Sequence, residues 1–95
     1  MAVESAQERW EVIFRGQVQG VGFRHTSRQI ARRFQVTGFV RNEPDGTVRL
    51  VAEGAAGEIE SFLGAIQNRM ADYITDQYIS RAPATGEFKG FDVRF

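Results

Sequence analysis

Hydrophobic and polar positions alternate near the start of the chain and then recur at helical spacing. Trp10, Val12 and Phe14 alternate with mostly polar neighbours, which predicts a β-strand over residues 10–15. A set of apolar or small residues then recurs every three or four positions, as on one face of a helix: Phe23, Ser27, Ile30, Ala31 and Phe34. The opposite side of this predicted helix carries arginines that we expect to lie in solvent: Arg28, Arg32 and Arg33.

A hairpin follows the first predicted helix. Residues 36–42 and 47–53 are predicted strands, and the residues between them have the composition of a turn. Pro44 presets φ and Gly46 supplies a left-handed position, so the connection is a hairpin loop of more than two residues. We expect Gly54 to end the hairpin.

The remainder of the chain predicts a second helix and two more strands. One apolar stripe of the helix recurs at helical spacing: Ile59, Phe62, Leu63, Ile66 and Met70. Residues 73–80 are predicted as a strand and residues 81–90 as a surface loop. Phe91, Val93 and Phe95 alternate in a last strand.

The predicted order of elements is therefore β-α-β-β-α-β-β. Two helices on one face of a mostly antiparallel sheet make a ferredoxin-like α+β sandwich. At 95 residues the chain has room for one domain, which we assign to residues 9–95, after a flexible N-terminal segment of residues 1–8. Many unrelated functions occur on this fold, so the function has to be inferred from a site.

Composition and charge exclude several kinds of partner. Twelve basic and twelve acidic residues cancel, so no bulk field attracts nucleic acid or an anionic membrane. The absence of cysteine excludes disulfides, thiolate metal sites and a cysteine nucleophile, and it fits a reducing cytoplasm. The first nine residues are polar and no stretch approaches the length of a membrane span, so we expect neither a secretory signal nor a membrane helix. We expect a cytoplasmic protein and take it to be a monomer.

Gly20, Gly22 and Arg24 form the most informative cluster of the sequence. Glycine permits positive φ and lets a ligand approach the backbone closely. A loop that leads into a helix can direct several N–H groups at one point, where the helix dipole adds positive potential. Arg24 adds a charged planar fork suited to phosphate or carboxylate oxygens. The cluster predicts an anion-binding loop; taken alone, it also fits an ordinary turn with a solvated arginine.

Two long motifs decide between these readings. Residues 16–24 have the sequence G-Q-V-Q-G-V-G-F-R, and residues 38–48 have the sequence G-F-V-R-N-E-P-D-G-T-V. They match the patterns G-x-V-Q-G-V-G-F-R and G-[WF]-V-x-N-x-x-D-G-x-V at every defined position, with a helix of fitting length between them. In these motifs and their spacing the chain resembles the acylphosphatase family of small acyl-phosphate hydrolases. The resemblance is close over the N-terminal half and holds in outline over the rest.

The resemblance implies roles for the loop and for two catalytic residues, Arg24 and Asn42. The residues expected to bind the substrate phosphate are Gln19, Gly20, Val21, Gly22, Phe23 and Arg24. In the roles that the resemblance implies, Arg24 binds the phosphate and Asn42 orients the attacking water. We expect hydrolysis of small acyl phosphates to a carboxylate and inorganic phosphate, with no cofactor and no metal ion. The alternative is a noncatalytic anion-binding or accessory module that keeps the loop.

Several neighbouring polar residues have simpler explanations. His25 follows Arg24 directly and could serve as a base or nucleophile, but the family requires no histidine there, and we expect a bystander. Ser27 is expected to bond its own helix backbone, and Asp45 is explained by the turn.

An RNA-recognition module is a different candidate for this fold class. Such modules stack bases on aromatic residues of central strands. Here the Gly-rich string precedes a helix, and the strand predicted over residues 47–53 has no aromatic residue. We therefore expect no nucleic-acid partner.

The chain departs from the family pattern at two places. Gln35 stands where the family usually ends its first helix with glycine, so we expect a less favourable C-terminal cap. Residues 68–72 replace a common Gly-Pro after the second helix, so we expect a remodelled exit from that helix.

Overall fold

A computed structural model describes residues 6–95 and contains the predicted order of elements. The elements are β1 (Gln7–Gly16), α1 (Phe23–Ala31), β2 (Thr37–Asn42), β3 (Val48–Ala55), α2 (Ala56–Arg69), β4 (Ile74–Pro83) and β5 (Phe91–Arg94). The strands form one sheet in the order β4-β1-β3-β2-β5, and both helices pack against it. The predicted ferredoxin-like α+β sandwich is confirmed.

All strand pairs are antiparallel except β2 with β5, which is parallel. The central pairings bring the two motifs together at Val48, which faces Phe14 of β1 on one side and Asn42 of β2 on the other. Because adjacent strands lie about 4.8 Å apart, the Asn42 backbone lies about 10 Å from that of Phe14. The loop after β1 and the end of β2 therefore occupy one edge of the sheet.

The core lies between the sheet and the two helices. The predicted alternation is confirmed, since Trp10, Val12 and Phe14 are all buried. The Phe14 ring meets that of Phe23, the first residue of α1, with centroids 4.9 Å apart. This contact fixes the start of α1 against β1. Neither helix within residues 6–95 has the length and apolar character of a membrane span.

The first helix ends earlier than its apolar pattern suggests. It stops at Ala31, and Phe34 packs against the core from the turn that follows. The N–H groups of Arg33 and Phe34 donate to carbonyls three residues earlier, at 3.0 and 3.1 Å, which tightens the turn. The Gln35 N–H donates to Glu58 Oε1 of α2 at 2.8 Å. A side chain of the second helix thus binds the backbone at the position where the resemblance predicts glycine.

Several strands are longer than predicted. Gln7 and Glu8 belong to β1 although we assigned them to the flexible segment 1–8, and residues 1–5 of that segment lie outside the described residues. The β2–β3 pairing of the hairpin does end before Gly54, at Thr37 with Glu53. The strand β3 itself continues through Gly54, which pairs with Glu8 of β1. On its other side Glu8 pairs with Pro83, so β4 extends beyond the predicted residue 80. These extensions depend on partner strands that are distant in sequence.

The exit from α2 is closed without a glycine. Met70 is buried at the helix end, and its N–H donates to the Ile66 carbonyl at 2.9 Å. The Tyr73 N–H donates to the Met70 carbonyl at 3.0 Å. The Tyr73 carbonyl then accepts the N–H of Gln17 at 2.9 Å. The turn after α2 therefore anchors the beginning of the loop that follows β1.

Glu53 is a buried carboxylate that fastens the segment between β4 and β5. It is 4% exposed and accepts hydrogen bonds from Thr85 N, Thr85 Oγ1 and Gly86 N at 2.8–2.9 Å. Arg9 Nη1 lies 3.7 Å from the same carboxylate. Burial opposes ionisation, but the hydrogen bonds and Arg9 outweigh it and hold the pKa of Glu53 below its ordinary value of 4.5.

We predict that Glu53→Gln lowers the free energy of unfolding at neutral pH by about 1–3 kcal/mol, because an amide replaces one acceptor oxygen with a donor that faces N–H groups. The folded pKa lies below the unfolded one, so the carboxylate stabilises the fold fully above pH 4.5 and loses this effect as pH falls through the folded value. Denaturant unfolding between pH 3 and 7 measures both effects.

The control is Glu60→Gln on the exposed face of α2, which should change stability little at any pH. If the Glu53→Gln and parent proteins showed parallel pH curves, the buried carboxylate would not be a source of the acid sensitivity.

Candidate active site

The loop between β1 and α1 has the backbone conformation that its glycines predict. Gly20 has φ 77° and Gly22 has φ 79°, both in the left-handed region. Apart from the adjacent residues in the chain, nothing lies within 4 Å of where a Cβ would stand at either position. Glycine is therefore required here by backbone conformation and not by crowding.

The start of α1 has unsatisfied backbone N–H groups. Gly22 is the N-cap, no side chain caps it, and the first turn has no acidic residue. The first helical hydrogen bond runs from Thr26 N to the Gly22 carbonyl at 2.9 Å. The N–H groups of Phe23, Arg24 and His25 thus have no partner within the helix. Together with the helix dipole they form a site of positive potential suited to an anion.

Most of the predicted site residues line one cleft of about 440 Å³. Its lining residues are Val18, Gly20, Gly22, Phe23, Arg24, His25, Arg28, Asn42, Asp92, Val93 and Phe95. Arg24 and Asn42, which are distant in sequence, therefore line the same opening. Of the other predicted loop residues, Val21 packs against the core and the Gln19 side chain turns towards the β2–β3 turn. The remaining members of the loop line the cleft.

Arg24 is held from the C-terminal side of the fold. Its Nη1 donates to the Arg94 carbonyl at 3.1 Å, and its guanidinium lies 4.5 Å from the centre of the Phe95 ring. Phe95 is itself 97% exposed. A guanidinium has five N–H donors, so the contact with Arg94 orients the fork and leaves donors for a ligand.

Asn42 is half-buried at the last position of β2, and the following turn does not depend on it. The turn is closed by Asp45, whose Oδ1 accepts hydrogen bonds from Thr47 N at 3.0 Å and Thr47 Oγ1 at 2.6 Å. These bonds hold the pKa of Asp45 below its ordinary value. The prediction that Asp45 serves the turn is confirmed. The local role that asparagine often has before a turn is thus filled by another residue.

Gln19 connects the loop to this same turn. Its Nε2 donates to the Glu43 carbonyl at 2.7 Å and to the Thr47 carbonyl at 2.9 Å. The sequence marks Gln19 as part of a motif but does not reveal these partners, which lie more than 20 residues away. The side chain is a direct link between the two motifs.

The other polar residues of α1 differ in burial and in whether they line the cleft. The buried Ser27 hydroxyl donates to the Phe23 carbonyl at 2.8 Å, which confirms the prediction for this residue. His25 and Arg28 are exposed and line the cleft. The expectation that Arg28 merely covers a solvent face missed its position one helical turn after Arg24. The cleft also contains Asp92, for which the sequence offered no signal.

Chemically, the cleft can hold a tetrahedral anion beside a neutral amide. The cationic groups and the helix start supply the positive potential, and Asn42 supplies both a donor and an acceptor. No group of three or more histidine, cysteine or acidic residues that could hold a metal ion occurs in the described part of the chain.

The known proteins that this chain is similar to carry one family name. The family profile described as Acylphosphatase matches residues 10–93. An acylphosphatase from Salinibacter ruber is 48% identical over 81 residues, which are 83% of this chain and 84% of the relative. One from Syntrophotalea carbinolica is 41% identical over 88 residues, which are 92% of this chain and 96% of the relative.

A solved structure extends the agreement from sequence to fold. The crystal structure of acylphosphatase from Bacillus subtilis matches with a TM-score of 0.83 and 28% identity, over 93% of this chain and 99% of that chain. The family profile and the relatives cover both motifs and most of the residues that form the sheet and the two helices. The chain therefore belongs to the acylphosphatase family.

Proposed function

We propose that this protein hydrolyses small acyl phosphates in the cleft between the β1–α1 loop and the end of β2. Water attacks phosphorus, the bond from phosphorus to the acyl oxygen breaks, and a carboxylate leaves; the protons of the water pass to phosphate and solvent. The observation that carries the proposal is that Arg24, the start of α1 and Asn42 line one opening. Matches to acylphosphatases over most of both chains favour this enzyme over a noncatalytic module.

The loop and Arg24 are proposed to bind the phosphoryl group. Backbone N–H groups of residues 19–23 and the Arg24 fork would face its equatorial oxygens, where charge accumulates in the transition state. The left-handed glycines and the uncapped helix start support this role, because they leave N–H groups without an internal partner. The contact between Arg24 and the Arg94 carbonyl supports it further, since a fork already oriented loses less entropy on binding.

Asn42 is proposed to orient the attacking water. Its amide has both donor and acceptor atoms and stays neutral across the working pH range, so it can hold a water in line without taking its proton. The leaving carboxylate is a weak base and needs no strong acid to protonate it. This chemistry fits a cleft whose only carboxylate among the lining residues is Asp92.

We further propose that the enzyme works without a metal ion or other cofactor, as a cytoplasmic monomer with inorganic phosphate as product and inhibitor. The residue types at the site support metal-free chemistry, because Arg24, Arg28 and the start of α1 already supply positive potential to the cleft. The absence of cysteine supports a reducing compartment.

Replacing the two catalytic candidates should separate their roles. Arg24→Ala should weaken both substrate binding and turnover, because Arg24 holds the phosphoryl oxygens before and during reaction. Asn42→Ala should lower kcat on the order of 100-fold and leave competitive inhibition by inorganic phosphate nearly intact, since it touches only the water. Phosphate release from acetyl phosphate, with inorganic phosphate as inhibitor, measures both.

The matched control is His25→Ala, in the same turn of α1 and on the same cleft, which should stay within a few-fold of the parent across pH. If His25→Ala were inactive while Asn42→Ala kept turnover, a histidine mechanism would replace the proposed one.

The left-handed loop conformation should matter for both stability and anion binding. Gly22→Ala should lower the free energy of unfolding by about 1–2 kcal/mol, because a residue with a Cβ is strained in the left-handed backbone conformation that Gly22 adopts. It should also raise the inhibition constant of phosphate. Gly64→Ala makes the same chemical change at an exposed, uncrowded position within α2 and should stabilise by about 1 kcal/mol without altering inhibition. Equal effects of the two substitutions on inhibition would contradict the loop's role.

Exhaustive chelation should leave the hydrolysis rate unchanged. The positive groups of the cleft already supply the charge stabilisation that a metal ion would bring. The rate of acetyl phosphate hydrolysis is measured before and after treatment with EDTA and again after added magnesium or zinc. Loss of activity that either metal restores would refute the metal-free mechanism.

A further inference from the structure

The side chain of Gln19 does not line the cleft and instead bonds to the β2–β3 turn. Its Nε2 donates to the carbonyls of Glu43 and Thr47 at 2.7 and 2.9 Å. A primary amide has two N–H donors, so both are used in the β2–β3 turn. The side chain is half-buried, which protects these bonds from competition by water.

The two acceptors stand directly beyond Asn42. Glu43 is the next residue in the chain, and its N–H donates to the Thr47 carbonyl at 2.9 Å. Asn42 pairs with Val48, so Glu43 and Thr47 form the next step of the hairpin. Gln19 therefore binds both sides of the hairpin at the step adjacent to Asn42.

We infer that Gln19 is a positioning residue that fixes the Asn42 amide relative to the phosphate-binding loop. This inference rests on the role proposed above for Asn42. Without Gln19, the two motifs would keep the strand pairings Phe14–Val48–Asn42 and the packing of α1 against β2, and would lose the side-chain hydrogen bonds that join the loop to the turn. Those contacts fix the backbone of Asn42 in β2, but they do not tie the turn beyond it to the loop. An in-line attack is sensitive to displacements of about 1 Å, so a turn that can shift relative to the loop would slow the reaction.

A double-mutant cycle tests the inference with Gln19→Met and Asn42→Ala. Methionine keeps the unbranched stem and removes both donors without adding charge. We expect Gln19→Met to lower kcat about 10- to 100-fold while the inhibition constant of inorganic phosphate stays within about two-fold. In the Asn42→Ala background it should lower kcat no further, because no oriented amide is left to misplace.

Asp45→Ala is the matched control, because it removes hydrogen bonds within the turn, those to Thr47, and leaves the Gln19 bonds that tie the turn to the loop. It should keep kcat within a few-fold of the parent. A loss as large as that of Gln19→Met would assign the effect to the turn in general and overturn the specific role of Gln19. Gln19→Ala provides a second variant with the same expected pattern.

The remaining outcomes are equally decisive. An unchanged kcat in Gln19→Met and Gln19→Ala would overturn the inference. Losses that multiply with that of Asn42→Ala, or a weakened inhibition by phosphate, would show that Gln19 builds the phosphate site and does not position Asn42. If Asn42→Ala itself retained turnover, the proposed function of Asn42 would fail first, independently of Gln19.

Discussion

The pairing of β3 with both β1 and β2 is the constraint on which the site depends. Val48 faces Phe14 on one side and Asn42 on the other, so two segments separated by a helix end at the same sheet edge. The Phe14–Phe23 ring contact then fixes the start of α1 at that edge. Neither motif could form the cleft alone, because one supplies the backbone proposed to bind the anion and the other the neutral amide.

The sequence predicted what depends on local rules. Alternation of Trp10, Val12 and Phe14 identified a half-buried strand, and the left-handed glycines followed from the loop motif, because steric limits on φ act within single residues. The turn role of Asp45 and the backbone bond of Ser27 also involve partners no more than four residues away. Family motifs added the association of Arg24 with Asn42, for which periodicity gives no evidence.

What the sequence did not predict depends on contacts between distant residues. β3 continues through Gly54 because β1 begins early enough to pair with it. The three hydrogen bonds of Glu53 and the support of Arg24 by Arg94 join residues more than 30 positions apart. Gln19 and its two carbonyl partners are also distant in sequence, so their hydrogen bonds were not predicted either. No pattern within a short window contains this information.

The support of Arg24 by the Arg94 carbonyl links the cleft to the least protected strand of the sheet. β5 has four residues and pairs only with β2, so its local opening requires less free energy than opening of the central strands. Local opening of β5 releases the contact that orients Arg24 while the core stays folded. Heating should therefore reduce the organisation of the site before cooperative unfolding, and amide exchange in β5 would follow that loss.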